Sequence, residues 1–283
     1  MKENNIVIMA GGVGSRLFPL STPERPKQFL DLLDSGKTMI ELTYERYLKC
    51  DPDAKIWVVT SKDYIHFVHE LLPAIPDERI LAEPVARNTA PAVAYACWKI
   101  RKANQDCNII VTPADSYIPD TDGFKASFNQ AVEFIEDKRG VVCLGLRPTA
   151  PNTTYGYIQA PAASDVVKVG SFTEKPDLDT AKKFIEEGCY FWNLGIFFWN
   201  GAVLEREIRT HMNGTAQLMD ELKPYLYTVT EGAVLERVFP LCEKISTDYA
   251  VMEKTDRAFM LQVRWGWSDL GCFEAIENIK NKK

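Results

Sequence analysis

The chain has 283 residues, 46% hydrophobic and 25% charged, enough to bury a sizeable core. Its 33 basic against 39 acidic residues leave a net charge of −6, which argues against nucleic acid as a partner and requires that any phosphate-bearing ligand find its cations gathered locally. No apolar run approaches the roughly 18 residues of a membrane span. Met1-Lys2-Glu3-Asn4-Asn5 leads straight into a short strand rather than a signal peptide, and the seven cysteines form no C-x-x-C pair, so a cytoplasmic protein with reduced thiols is expected.

In chain order, Ile6-Val7-Ile8-Met9 is an apolar run of strand length that opens into Ala10-Gly11-Gly12-Val13-Gly14-Ser15-Arg16-Leu17. Glycines at 11, 12 and 14 suit neither helix nor strand; they allow φ > 0 and let backbone N–H groups face an anion with no Cβ in the way. Arg16 and Lys27 bring two cations to the loop, and Pro19, Pro23 and Pro26 stiffen the stretch between them. The whole reads as a rigid, cationic lip for a phosphate. A Walker A loop is excluded, because no Lys-Ser/Thr pair follows the second glycine. A dinucleotide fingerprint is excluded, because Leu17 stands where G-x-G-x-x-G counted from Gly12 needs glycine. A plain strand-to-helix turn would explain the glycines but neither Arg16 nor Pro26-Lys27-Gln28-Phe29.

Strand-like runs then alternate with helical patterns. Ile56–Thr60, Arg79–Ala82, Asn108–Thr112 and Val141–Leu144 read as strands, and about 38–49, 63–72, 89–102 and 122–138 as helices. This spacing predicts an α/β fold: a Rossmann-like, mostly parallel mixed sheet with helices on both faces. Ligands of such sheets gather beyond the carboxyl ends of the strands, so the loops after residues 9, 82 and 112 should share one cleft. From about residue 150 the pattern loosens into longer strands and loops, expected to extend the sheet and build another side of that cleft. No linker, repeat or low-complexity segment breaks the sequence, so one domain over 1–283 is expected.

Chemistry-bearing residues cluster at those strand ends. In Glu83-Pro84-Val85-Ala86-Arg87-Asn88-Thr89-Ala90-Pro91-Ala92, a capped helix start accounts for Asn88, Thr89 and Pro91 but not for Glu83 and Arg87. Asp115 closes Thr112-Pro113-Ala114-Asp115, where a carboxylate can serve a hard cation together with phosphate oxygens. Gly156 opens the strand Tyr155–Ile158, and Phe172-Thr173-Glu174-Lys175-Pro176 ends another. The aromatic strand Phe191–Trp199 reads as core, interrupted by Asn193 and Gly195. Thr247–Lys254 reads as a capped helix in which Asp248 could cap the helix or reach the site, with a structural role favoured, and Asp269 sits in a glycine-flanked turn after an apolar strand. His66 and His69 lie three apart on a helix with no third ligand, as on an exposed face.

Taken together, A-G-G-x-G-x-R-L followed by Pro-Lys-Gln-Phe-Leu, with the later motifs in order from Ile6 to Ala275, resembles the sugar-nucleotidyltransferases, and within them the mannose-1-phosphate guanylyltransferases. Ser15, Phe18 and Ser116 depart from the residues more usual there, Thr, Trp and His. The resemblance implies a glycosyltransferase-A-like fold, with about 1–150 binding nucleotide and about 151–283 binding sugar. It implies transfer of GMP from GTP to α-D-mannose 1-phosphate, giving GDP-mannose and pyrophosphate. Arg16, Lys27, Asp115 and Asp269 would be catalytic. Ala10, Gly11, Gly12, Gly14, Ser15, Arg16, Lys27, Glu83, Pro84, Asn88 and Thr89 would bind nucleotide. Gly156, Glu174, Lys175 and Asn193 would bind the sugar phosphate. Asp115 and Asp269 would hold Mg²⁺, or Mn²⁺. Guanine presents N1–H and N2–H₂ donors that Glu83 or backbone carbonyls can accept. Members of the family often continue into a further C-terminal segment, some into a fused phosphomannose isomerase domain. The sequence ends at Lys283, so an oligomer built on such a segment is not expected, and a homodimer is the assembly kept open. Three alternatives stay open: another sugar 1-phosphate such as a heptose or fucose derivative, a uracil or thymine base, and a catalytically silent sugar-nucleotide-binding subunit.

Overall fold

Strands buried on both faces carry apolar residues at every position, and alternate residues go to opposite sides. In β1 (Glu3–Met9), Val7 enters one hydrophobic core while Ile6 and Ile8 enter another. In β4 (Cys107–Pro113), Ile109 and Val111 join the first core and Ile110 the second. The structure, a computed structural model, describes residues 2–137 and 140–281. The first core is roofed by α3 (Thr89–Ala103), α6 (Gly201–His211), α7 (Asn213–Leu222) and α8 (Glu231–Val238), through residues such as Ala96, Leu204, Met219 and Leu235. The second is covered by α1 (Met39–Cys50), α2 (Ile65–Leu71) and α4 (Thr121–Asp137), through Tyr47, Phe67 and Phe128. Helices therefore pack on both faces, as the alternation requires.

One sheet carries β2 (Lys55–Ser61), β3 (Ile80–Glu83), β5 (Val141–Leu146), β7 (Val167–Lys168), β9 (Tyr190–Asn200) and β10 (Ala258–Val263) in the order β3-β2-β1-β4-β9-β5-β10-β7. The strands β3, β2, β1 and β4 are mutually parallel. β9 inserts antiparallel between β4 and β5, which returns β5 and β10 to the direction of the first four. The carboxyl ends of all six thus meet at one edge, where Met9 registers with Pro113 and Ser61 with Glu83. β6 (Tyr157–Gln159) pairs with β9, and β8 (Ser171–Thr173) with β6.

The first half follows the sequence closely. Arg79 belongs to a 3₁₀ turn rather than to β3, and Lys138, the last residue of the expected helix 122–138, lies outside the described residues. The second half differs. Only β9 is long; β6, β7 and β8 span two or three residues each, and α5 (Leu178–Glu187) through α8, with α9 (Phe273–Lys280), supply helix where the sequence pattern suggests loops. In α6, Val203, Leu204 and Ile208 are buried while Arg206 and Arg209 are not, a one-sided helical pattern that the aromatic strand before it overshadows.

Candidate active site

A cavity of about 360 Å³ opens at the carboxyl edge of the sheet, floored by Met9, Val111 and Phe197. The loop after β1 forms its lip. Gln28 Nε2 donates to the carbonyls of Ala10 and Gly12, both at 2.8 Å, and so fixes the loop's path. Ala10 is buried beneath, its carbonyl also accepting from Thr60 Oγ1 at 2.9 Å, and it does not line the cavity. Gly11 and Gly12 do. A Cβ on Gly11 would lie 2.9 Å from Glu83 Oε2, so glycine is what lets the lip close over that carboxylate. Gly14, Ser15 and Arg16 continue into a 3₁₀ turn outside the lining, with the Arg16 side chain 60% exposed.

At the centre of the edge, Lys27 Nζ lies 2.8 Å from Asp115 Oδ2 and donates to the carbonyl of Asp269 at 2.9 Å. Arg16 Nη2 stands 3.7 Å from Asp269 Oδ2, and Tyr155 Oη donates to Asp269 Oδ1 at 2.9 Å from between Trp192 and Trp267. One ammonium thus links the Asp115 carboxylate to the backbone of Asp269, whose own carboxylate faces Arg16 and Tyr155. Among the described residues no three His, Cys, Asp or Glu side chains form a closed metal cage, so the two aspartates would need ligand oxygens to complete a shell. His66 and His69 stay exposed on α2, His69 Nδ1 lying 3.7 Å from Asp77 Oδ1.

At one end of the cavity, Glu83 closes β3 with no hydrogen bond to its carboxyl from any described residue, and burial pushes that carboxyl up to about 8. Asn88 accepts from the Thr89 N–H at 2.8 Å to cap α3, at φ 65 and ψ −173, a conformation few non-glycine residues hold. The Thr89 hydroxyl accepts from the Thr247 N–H at 2.9 Å, tying the helix start to the far wall. Pro84, expected with these residues, lines a different cavity with Tyr95, Lys99 and Glu231, because neighbouring residues of an extended chain face opposite ways. Arg87 donates to the Pro240 carbonyl and is not part of the lining.

The other end is lined by Gly195, Phe197, Thr247 and Asp248, and beside it, outside the lining, stand Gly156, Glu174, Lys175 and Asn193, on or next to β6, β8 and β9. The Asn193 N–H donates to the Gly156 carbonyl at 2.8 Å, Asn193 Oδ1 accepts from the Gly195 N–H at 3.0 Å, and Asn193 Nδ2 donates to Asp248 Oδ1 at 3.0 Å. A Cβ on Gly156 would approach Glu174 Oε2 to 2.6 Å, and Lys175 Nζ pairs with Glu174 Oε1 at 2.5 Å. Gly156, Glu174, Lys175, Asn193 and Asp248 are therefore brought together. The segment expected as a capped helix is a single π-helical turn, Asp248–Met252, in which Asp248 caps nothing and lines the cavity. Sequence reasoning named Asp248 but favoured structure over the site, because Thr-Asp before an apolar stretch is a sufficient helix-start signal. It missed Gln28 because one polar residue beside Lys27 carries no mark of its long-range bonds.

Residues 5–283 match the Nucleotidyl transferase family. The chain is 39% identical to the alginate biosynthesis protein AlgA of Pseudomonas putida, covering 98% of this chain and 58% of that protein. It is 35% identical to the mannose-1-phosphate guanylyltransferase of Salmonella muenchen, covering 98% of this chain and 59% of the relative. It thus spans somewhat under 60% of the length of these relatives. The crystal structure of a mannose-1-phosphate geranyltransferase from Thermus thermophilus superposes with a TM-score of 0.88 at 35% identity, over 99% of this chain and 79% of that one. Among the described residues, no helix is long and apolar enough to cross a membrane.

Proposed function

The chain belongs to the nucleotidyl transferase family, and on that premise we propose that it transfers GMP from GTP to α-D-mannose 1-phosphate, giving GDP-mannose and pyrophosphate. One observation carries the reading. A single cavity runs from Glu83, Asn88 and Thr89, past the glycine lip and Asp115, to Gly195 and Asp248. It offers a base, phosphates and a sugar one continuous seat, built from both halves of one nucleotidyltransferase domain. The similarity to the guanylyltransferase of Salmonella muenchen supports the choice of base and sugar. The reading carries a cytoplasmic location, a homodimer as the assembly to test, and neither membrane nor nucleic acid as partner.

The sugar phosphate is itself the nucleophile, its oxygen attacking the α-phosphorus in line as pyrophosphate leaves. A phosphate monoester is anionic at pH 7, so neither a side-chain nucleophile nor a strong general base is required, and the protein contributes position and charge relief. Lys27, Arg16 and the amides of the Gly11–Gly14 loop hold the departing pyrophosphate. Lys175 aligns the attacking phosphate, and Glu174 and Asn193 orient its sugar. Asp115 and Asp269, which Lys27 links through the Asp115 carboxylate and the Asp269 carbonyl, would hold Mg²⁺ or Mn²⁺, which when bound would neutralise charge on the phosphate oxygens. The Glu83 carboxylate accepts from guanine N1–H and N2–H₂.

The test is pyrophosphate release from each of four nucleoside triphosphates against a panel of sugar 1-phosphates. GTP is expected to exceed UTP, dTTP and ATP in kcat/KM by at least about 10²-fold, because a mismatched base leaves buried polar groups unpaired. Equal rates with UTP would overturn the base assignment, and no release with any pair would favour a silent binding subunit.

A further inference from the structure

The geometry points to Asp248 as a substrate-binding carboxylate that accepts hydrogen bonds from hydroxyl groups of the sugar, and so as a determinant of which sugar 1-phosphate is used. This rests on the reading above and adds a residue to it. Asp248 lines the cavity beside Thr247, Gly195 and Phe197. Among the described residues its only side-chain donor is Asn193 Nδ2, at 3.0 Å to Oδ1, and no side chain donates to Oδ2. Asn193 cannot swing away, being held by the Gly195 N–H on its Oδ1 and by its own N–H on the Gly156 carbonyl. The Asp248 carbonyl accepts from the Glu253 N–H at 3.0 Å, which closes the π turn and presents the first residue toward the cavity.

Its charge environment also calls for donors. Asp248 makes no ion pair with any described residue, since the nearby Lys175 ammonium is engaged with Glu174. Burial, and after it the Glu174 carboxylate, push the Asp248 carboxyl up to about 7. A desolvated carboxylate facing another gains most from neutral hydrogen-bond donors, which satisfy its oxygens without adding charge. Sugar hydroxyls are such donors. The nucleotide phosphates lie elsewhere in this reading, near Lys27, the sugar phosphate turns to the Lys175 ammonium, and a negative group would be repelled at Asp248 itself. Thr247 ties this turn to Thr89, so the carboxylate is held at a fixed distance from the nucleotide end.

The experiment pairs protein variants with substrate variants. Wild type, Asp248→Ala and Asp248→Asn are assayed for pyrophosphate release with GTP and α-D-mannose 1-phosphate or its 2-, 3-, 4- and 6-deoxy analogues. Wild type should discriminate against at least one deoxy analogue by about tenfold to a hundredfold in kcat/KM, the range of a charge-assisted hydrogen bond. Asp248→Ala should abolish that discrimination at the same position and raise KM for the full sugar phosphate, while GTP affinity by calorimetry stays within about twofold and reports intact folding. Asp248→Asn, which keeps one acceptor oxygen, should fall between. Should Asp248→Ala misfold, the Asn variant carries the comparison. Wild-type turnover combined with unchanged discrimination in the variants overturns the assignment of Asp248 alone. A wild type that turns over no hexose 1-phosphate overturns the proposed reaction, and the assignment with it.

Discussion

Two sets of carboxylates stand in or beside this cavity, and they differ in what neutralises them. At the sheet's carboxyl edge, Asp115 lies against Lys27 and Asp269 faces Arg16, with Tyr155 donating to its other oxygen. Toward the two ends, Glu83 and Asp248 make no ion pair with any described residue, and burial raises both, to about 8 and about 7. The edge is balanced before substrate arrives: its acids and bases hold one another in place and can exchange partners when phosphates and a cation enter. The ends are unbalanced. Their carboxylates are held out of water without a counter-charge, a cost that suitable hydrogen-bond donors relieve. Balanced acids suit charge-handling chemistry, and unbalanced ones suit recognition.

The largest expected effect breaks the balance at the edge. Asp115→Asn or Asp269→Asn keeps the shape but removes a carboxylate charge, so folding should survive. The chemical step should slow by about 10²-fold or more, equivalent to roughly 2.7 kcal/mol of transition-state stabilisation. If both act through one ion, the double variant should be little worse than the worse single one. EDTA should silence the wild type and Mg²⁺ restore it in single-turnover assays. Full activity in EDTA, or losses that simply multiply, would mean that the two carboxylates share no metal.

The balanced edge was also the more legible region. The glycine lip, Arg16 and Lys27 fall within one short stretch, and β–α alternation alone assigns the strand ends to a common edge. What sequence hid was of two kinds. Side chains that act across the fold, such as Gln28 on the lip carbonyls and Tyr155 on Asp269, have no local signature. Local geometry also misled. Ala10 is buried under its own loop, Pro84 turns away from Glu83, and Asp248 begins a π turn that reads as an ordinary capped helix. The helices α6 to α8 were hidden behind the aromatic run of β9, whose apolar positions dominate that stretch.

A smaller effect sharpens the comparison at the junction of the two regions. Lys175 pairs with Glu174 and is half exposed, so it can turn to an incoming phosphate. Lys175→Ala removes a charge-assisted contact of about 1.5–3 kcal/mol, about tenfold to a hundredfold in kcat/KM for the sugar phosphate. GTP binding measured alone should barely change. A large loss of GTP affinity would place Lys175 with the nucleotide phosphates, and the boundary between the halves would move.

The smallest effect is a proton. Burial holds the Glu83 carboxyl at about 8, so at pH 7 the free protein carries it mostly protonated. Accepting from guanine N1–H and N2–H₂ favours the ionised form, so binding must lower this pKa and release a proton. Where the free form holds more protons than the bound form, affinity rises with pH. GTP affinity should therefore climb by at most about tenfold per pH unit up to pH 8 and level off above it. Glu83→Gln has no proton to lose and should remove that part of the slope; the difference between the two proteins cancels the ionisation of GTP's own phosphates. Stability obeys the same linkage with a defined sign. A carboxyl raised from its usual 4.5 binds its proton more tightly in the folded chain, so between about pH 4.5 and 8 the folded state holds more protons and stability falls as pH rises. Glu83→Gln should accordingly raise Tm more at pH 8 than at pH 5. If the variant keeps the wild-type slope in GTP affinity yet shows this Tm gain, the carboxyl is buried as described but backbone carbonyls, not Glu83, read the base. An unbalanced acid at that end would then be a cost without a ligand, and the division between charge-handling edge and recognising ends would hold only on the side of Asp248.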